Sequence, residues 1–179
     1  LHRVDRRQRQ MCIRDRKIDF GSDLLINTFL NENPPGPTKK IIDVGCGYGP
    51  IGLMIAKVSP HHEITMVDVN QRALALSIKN KKKNHLENVD IIESDGLSQV
   101  ENDAFDFVLT NPPIRAGKKV VHSILADAYH KLKVNGALYV VIQKKQGMPS
   151  AKKKMEETFG NVEVLEKRKG YYILRSVKG

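Results

Sequence analysis

The chain passes from a short apolar run, Ile41-Ile42, through Asp43-Val44 into Gly45-Cys46-Gly47-Tyr48-Gly49, and then into Pro50-Ile51-Gly52-Leu53-Met54-Ile55-Ala56. A strand, a glycine-rich turn and a helix, in that order, constrain the fold more than any other feature. A side chain in the turn would hold the backbone away from a ligand lying over it, so glycine there points to a bound group. Such a unit opens a βαβ repeat, and repeats of that kind build parallel sheets covered by helices. A second motif, Asn111-Pro112-Pro113-Ile114, follows the buried-looking strand Phe105-Asp106-Phe107-Val108-Leu109. Two prolines end a ladder and stiffen the loop at its carboxyl end. Ligands of open α/β sheets sit at that edge, which puts both motifs on one rim.

The rest of the chain fits the same plan. Ser22 to Phe29 reads as a short helix with Ser22 as N-cap, ended by Asn33-Pro34-Pro35-Gly36-Pro37. Strands are expected at Lys40 to Val44, His62 to Val67, Val89 to Ile92, Ala104 to Leu109 and Gly136 to Ile142. Helices are expected at Pro50 to Val58, from an Asn70 cap to about Lys83, at Gly117 to Leu132 and at Ser150 to Phe159. In the Asn70 helix, Ala73, Leu74, Leu76 and Ile78 are available to the core, and Lys79, Lys81, Lys82 and Lys83 suit the negative end of the helix dipole. Val162 to Leu165 and Tyr171 to Arg175 form a closing hairpin. Strands alternating with helices make an α/β, Rossmann-like fold. Its seven-stranded sheet is mostly parallel, with helices on both faces and an antiparallel C-terminal strand.

Length and composition allow one domain with a real core: 179 residues, 40% hydrophobic and 28% charged. No apolar run approaches the ~20 residues that cross a bilayer. Two cysteines, Cys12 and Cys46, make neither a metal pattern nor a disulfide framework, which suggests a reducing cytosol. A net charge of +10 suits a polyanionic partner, or else a lysine-rich solvated surface. Residues 1–16 hold six arginines against two aspartates, so +4 of that charge sits there. This segment has no periodicity, and Met11-Cys12-Ile13-Arg14-Asp15 back-translates to a sequence resembling a sequencing adapter. It is expected to be non-native, with the functional domain at 17–179 and shortened at its amino end; a natural RNA-binding arm is the alternative.

Several polar residues fall on the rim. A carboxylate at Asp68, closing the second strand, can accept both hydroxyls of a ribose through charge-assisted bonds. Gly47-Tyr48-Gly49-Pro50-Ile51-Gly52 with Asp68 also satisfies the dinucleotide fingerprint, a weak pattern when it stands alone. Asn111 and the Pro112 carbonyl set two acceptors on one stiff loop, and a resemblance to amino-methyltransferases implies that they take the hydrogen bonds of a planar exocyclic amine. That favours a pyramidal nitrogen, and catalysis by positioning and electrostatics. Arg115, Lys118, Lys119, Lys144 and Lys145 surround the same edge, where they suit RNA phosphates or form a solvated face. His122, on the helix behind the loop, is a packed or surface histidine before it is a base.

Together these residues resemble the class I S-adenosylmethionine-dependent methyltransferases, in the branch that methylates exocyclic amino nitrogens. Thr110-Asn111-Pro112-Pro113-Ile114-Arg115-Ala116-Gly117-Lys118-Lys119-Val120-Val121-His122 and Val141-Ile142-Gln143-Lys144-Lys145-Gln146-Gly147 look like small stand-alone relatives of the ribosomal small-subunit RNA guanine methyltransferase C family. The resemblance covers Lys17 to Tyr172. It implies S-adenosylmethionine as cofactor and ribosomal RNA or a ribosomal subunit as partner, with no metal and no membrane. It implies a last strand inserted antiparallel beside the fifth. It also implies a cofactor site of Asp43, Gly45, Gly47, Gly49, Asp68, Asp95 and Asn111, with Asp43 on the ammonium or a water and Asp95 on the adenine amine. Leu97 is a candidate for the adenine face. Catalysis falls to Asn111, Pro112 and Pro113. The chain departs from the wider pattern at Ile114, where an aromatic often stacks on the target base; Tyr48 is one substitute. Glutamine side chains of a translation factor and adenine in DNA are alternative substrates, and an RNA-binding protein without turnover is a third reading.

Overall fold

The computed structural model describes residues 18–179. The arginine-rich segment 1–16, Cys12 within it and Lys17 lie outside the described residues. Helix α1 (Phe20–Glu32) leads into β1 (Lys40–Val44), α2 (Pro50–Val58), β2 (Glu63–Asp68), α3 (Gln71–Lys83), β3 (Val89–Glu93) and β4 (Phe105–Thr110). Then come a 3-10 turn (Ile114–Ala116), α4 (Lys118–Lys131), β5 (Leu132–Gln143), a second 3-10 turn (Lys144–Gln146), α5 (Met148–Phe159), β6 (Glu163–Arg168) and β7 (Tyr171–Val177).

The seven strands form one sheet in the order β3-β2-β1-β4-β5-β7-β6. β1 pairs in parallel with β2 and β4, β2 with β3, and β4 with β5. β7 runs antiparallel between β5 and β6, the insertion that the resemblance implies. Alternation along each strand sends residues to opposite faces. Ile41, Met66, Leu109 and Tyr139 pack under α1, α2 and α3, while Ile42, Val67, Val108 and Leu138 pack under α4 and α5. The order reverses between β1 and β4, and the crevice at such a switch point is where α/β sheets take ligands.

Three local expectations need correction. Helix α1 is capped by Asp19, not Ser22: the Asp19 carboxylate accepts from the Ser22 amide at 2.9 Å. Both residues are good caps, and capping from Asp19 leaves room for one more turn with Phe20 half-buried against the core. Ile78 is 40% exposed, and α3 instead turns Leu74, Ser77 and Asn80 inward. β5 begins at Leu132, four residues before Gly136, because the chain makes an excursion within the strand. Lys133, Val134 and Asn135 are exposed, Asn135 takes φ 70°, and the pairing to β4 slips between Phe105 and Phe107. An Asn-Gly pair reads as a turn from sequence, and here the turn lies inside the ladder.

Candidate active site

The rim at the carboxyl ends of the strands is polarised. After β1, β2 and β3 come carboxylates and glycines; from β4 outward come Asn111 and then cations.

The glycine turn between β1 and α2 is held from below. Gly45 and Cys46 amides both donate to the Val67 carbonyl, at 2.9 and 3.0 Å. Ser77 Oγ donates to the Gly47 carbonyl at 2.7 Å, and Asn80 Nδ2 to the Tyr48 carbonyl at 3.0 Å. These two buried polar residues of α3 tie the turn to the second crossover, and nothing in a helical apolar pattern marks them. The glycines of the turn divide their work. Gly45 and Gly47 have φ of 70° and 57°; a Cβ at Gly47 would meet nothing within 4 Å, and one at Gly45 only Pro113 Cδ at 3.8 Å. Those positions present bare backbone to the crevice. Gly49 is required for packing as well: its φ is 99°, and a Cβ would stand 2.7 Å from Leu53 Cδ1 and 2.9 Å from Met66 Cε.

Asp43 is 1% exposed. Its Oδ2 accepts from the Gly52 amide at 3.0 Å, while the buried Oδ1 has no partner. An orphaned buried carboxylate oxygen is costly, and a cation or an ordered water beside it relieves the cost. Burial pushes the Asp43 carboxyl up to about 7; the Gly52 amide opposes this, and the negative charge of Asp68 adds to it. The folded chain therefore keeps a proton that the unfolded chain releases near pH 3.8. For this group, stability falls as pH rises from about 4 to about 7 and is level above that. Melting curves of Asp43→Asn should lack this part of the parent's pH slope, while parent affinity for a ligand ammonium should rise over the upper end of that window. A pH–stability difference between the two chains that stays flat across the window rejects the assignment.

Asp68 is half-buried, and its two oxygens accept from the Gly47 amide at 2.9 Å and the Asn70 amide at 2.8 Å. It thus ties the turn after β1 to the end of β2 and keeps further lone pairs for a ligand. Asn70 caps α3 through bonds to Arg72 and Ala73, as its position predicts. Asp95 is exposed beyond β3. Leu97 is 1% exposed and packs in the core under α4. Cys46 is buried, and burial together with Asp43 and Asp68 pushes its thiol far up, so it stays neutral and unreactive.

The Asn-Pro-Pro loop leaves β4 beside this turn. Thr110 Oγ1 donates to the Val44 carbonyl at 2.9 Å, which clamps the ends of β4 and β1 together. Asn111 is half-buried; its Nδ2 donates to Ser22 Oγ at 3.1 Å, and its Oδ1 accepts from no described residue. The Pro112 carbonyl accepts from the Ile114 amide at 2.9 Å, with one lone pair left. Ile114 packs against the core under α4 and shares a cavity of about 110 Å³ with Lys118, His122 and Ser150. His122 is half-buried there, and burial, then Lys118 and Lys154, lower its pKa, which leaves the imidazole neutral. Tyr48 packs on the opposite core. Two aromatics that the sequence did not single out stand at the start of α1, the turn whose Ser22 holds Asn111. They are Phe20 and Tyr171, with ring centroids 5.5 Å apart. The Tyr171 ring lies so close to Gly21 that a Cβ there would stand 2.8 Å from it.

Arg115, Lys118, Lys119, Lys144 and Lys145 are all exposed, and none forms an ion pair among the described residues. The hairpin tip, residues 167–170, joins them, because the Lys144 amide donates to the Gly170 carbonyl at 3.0 Å.

An α/β sheet with a glycine turn at its switch point and a carboxylate after the second strand is the architecture of a nucleotide-cofactor protein. The chain belongs to the methyltransferase small domain family, which it matches across residues 12–175; that span opens inside the stretch read above as non-native. It is 51% identical to the uncharacterized protein YbxB of Bacillus subtilis (strain 168), over 91% of this chain and 80% of that one. It is 32% identical to ribosomal RNA small subunit methyltransferase C of Erwinia tasmaniensis, over 90% of this chain and 46% of that one. It is also 32% identical to ribosomal RNA large subunit methyltransferase G of Photobacterium profundum, over 90% and 43%. The chain thus spans under half the length of these two named enzymes. Among solved structures it resembles the T. thermophilus 16S rRNA N2 G1207 methyltransferase, RsmC, in complex with AdoMet and guanosine. The TM-score is 0.82 at 24% identity, over 93% of this chain and 45% of that one.

Proposed function

We propose that this chain transfers a methyl group from S-adenosylmethionine to the exocyclic amine of a guanine in small-subunit ribosomal RNA. One observation carries the reading: the rim changes from carboxylates to cations at Asn111. The cofactor supplies an electrophilic methyl group on a sulfonium. Asp43, with its orphaned oxygen, suits the cofactor's ammonium. Gly45 and Gly47 offer bare backbone, Asp68 suits the ribose and Asp95 the adenine. Asn111 Oδ1 and the free lone pair of Pro112 would accept hydrogen bonds from the target amine and hold its nitrogen in line, and the proton that the amine loses on methylation would leave to solvent. Pro113, against Gly45, fixes the loop on the turn.

The cations beyond Asn111 suit RNA. Lys118 and Lys119 sit in the first turn of α4, where positive charge works against the helix dipole, so helix stability does not account for them. Charge reversal at both should weaken RNA binding and flatten its salt dependence by about 0.7–0.9 in slope per lost phosphate contact. Cofactor affinity should hold. A double variant with the parent's slope would make these lysines a solvated face.

The direct test supplies methyl-labelled S-adenosylmethionine with small and large ribosomal subunits from cells lacking the protein. Label in the RNA of the small subunit is the expected result. Label confined to protein, or to the large subunit, overturns the assignment. We place the methyltransferase domain at 17–179, shortened at its amino end, so removing residues 1–16 should leave the result of this assay unchanged.

A further inference from the structure

The Asn111 carboxamide is the last link in a hydrogen-bond chain that starts on a carboxylate. Asn111 Nδ2 donates to Ser22 Oγ at 3.1 Å, and Ser22 Oγ donates to Asp19 Oδ2 at 2.8 Å. Asp19 holds the start of α1 with its other oxygen, on the Ser22 amide at 2.9 Å. Ser22 is 2% exposed, so its hydroxyl has few other partners.

The direction of each bond follows from proton counting. An ionised carboxylate only accepts, so the single proton of the Ser22 hydroxyl goes to Asp19. The hydroxyl then shows Asn111 only a lone pair. A carboxamide has a donor end and an acceptor end of nearly the same shape, and only the donor end satisfies that lone pair. Oδ1 is thereby left on the far side, with no hydrogen bond from any described residue. A flipped carboxamide would set NH₂ against the target amine, donor against donor.

We propose that Asp19 and Ser22 are positioning residues that lock Asn111 with its oxygen toward the target amine. This rests on reading Asn111 as the acceptor for that amine. Neither residue touches the reacting atoms, and the same aspartate that begins helix α1 sets the polarity of the catalytic loop.

Asp19→Asn tests it, because asparagine caps a helix as well as aspartate does. The introduced carboxamide can keep the bond to the Ser22 amide through its oxygen and donate its NH₂ to the Ser22 hydroxyl. The hydroxyl proton, no longer taken by a carboxylate, is then free for Asn111, which releases the carboxamide to flip and receive it. Turnover should fall on the order of 10- to 100-fold, with melting temperature and cofactor dissociation constant unchanged. Adding Asn111→Asp should restore activity, since a carboxylate accepts from Ser22 and from the amine at once. The double variant should exceed each single variant by about tenfold, a reversal that a merely structural role for Asp19 does not produce. Ser22→Ala should lower turnover without lowering cofactor affinity.

A second readout does not depend on turnover. The side-chain amide signal of Asn111 in a ¹⁵N spectrum, identified by its loss in Asn111→Asp, should move in Asp19→Asn and in Ser22→Ala. Unmoved signals overturn the lock, as does Asp19→Asn turnover equal to the parent's in an active enzyme. A parent that labels no RNA defeats the functional proposal instead and leaves the amide signal to decide the lock.

Discussion

Replacing Asn111 by alanine is expected to leave folding nearly unchanged while lowering methyl transfer about 100- to 1,000-fold, far more than it weakens cofactor binding. The exocyclic amine of guanine is a poor nucleophile because its lone pair is spread into the ring. An acceptor fixed on its protons helps only as the nitrogen becomes pyramidal, so the loss falls on turnover and not on binding. The side chain is half-buried and makes one bond among the described residues, to Ser22, so the fold depends on it little. Aspartate at this position should keep more activity than alanine, because an oxygen still faces the amine. It should remain below the parent, because the Ser22 proton is already committed to Asp19. Single-turnover rates for Asn111→Ala within roughly threefold of the parent would remove the central residue of the mechanism and leave the loop a binding role.

Asp68→Ala should act on the other side of the crevice and in the opposite way. A ribose lies away from the transferred methyl, so its contacts are alike in ground and transition states. Loss of charge-assisted bonds should cost on the order of 1.5–3 kcal/mol of cofactor affinity, with a smaller change in the rate of the bound complex. The structure adds a second reason for weak binding. Asp68 also holds the Gly47 and Asn70 amides, so its removal loosens the turn that the cofactor would lie on. An unchanged cofactor dissociation constant by calorimetry rejects the role.

What was legible from sequence depended on whether a residue's partners lie nearby in the chain. β1 and α2 have the expected limits, because apolar periodicity, glycines and Pro50 are local signals. The Asn70 cap is local too. The polarity of the site was also readable, since strand order and motif position put Asp43, Asp68 and Asn111 at one rim. Non-local bonds were not. Ser77 and Asn80 look like surface residues of a lysine-rich helix until the glycine turn is laid against them. Asp19 and Ser22 are both N-cap residues, and choosing between them needs the fold; that choice decides what faces Asn111. Leu97 follows a turn aspartate, and only the packing of α4 shows it to be core. The cations of the hairpin tip, far along the chain from Lys144, reach the rim only because β7 inserts beside β5.

The central claim is that the methyl group goes to the exocyclic amine of guanine. Small subunits from cells lacking the protein are to be incubated with labelled S-adenosylmethionine and either the parent or Asn111→Ala. Their RNA is then digested and the nucleosides separated. The account predicts label in N2-methylguanosine with the parent, and nearly none with the variant. Label in a methylated adenosine, in a ring-carbon or ribose methyl, or at equal levels from both proteins would contradict it.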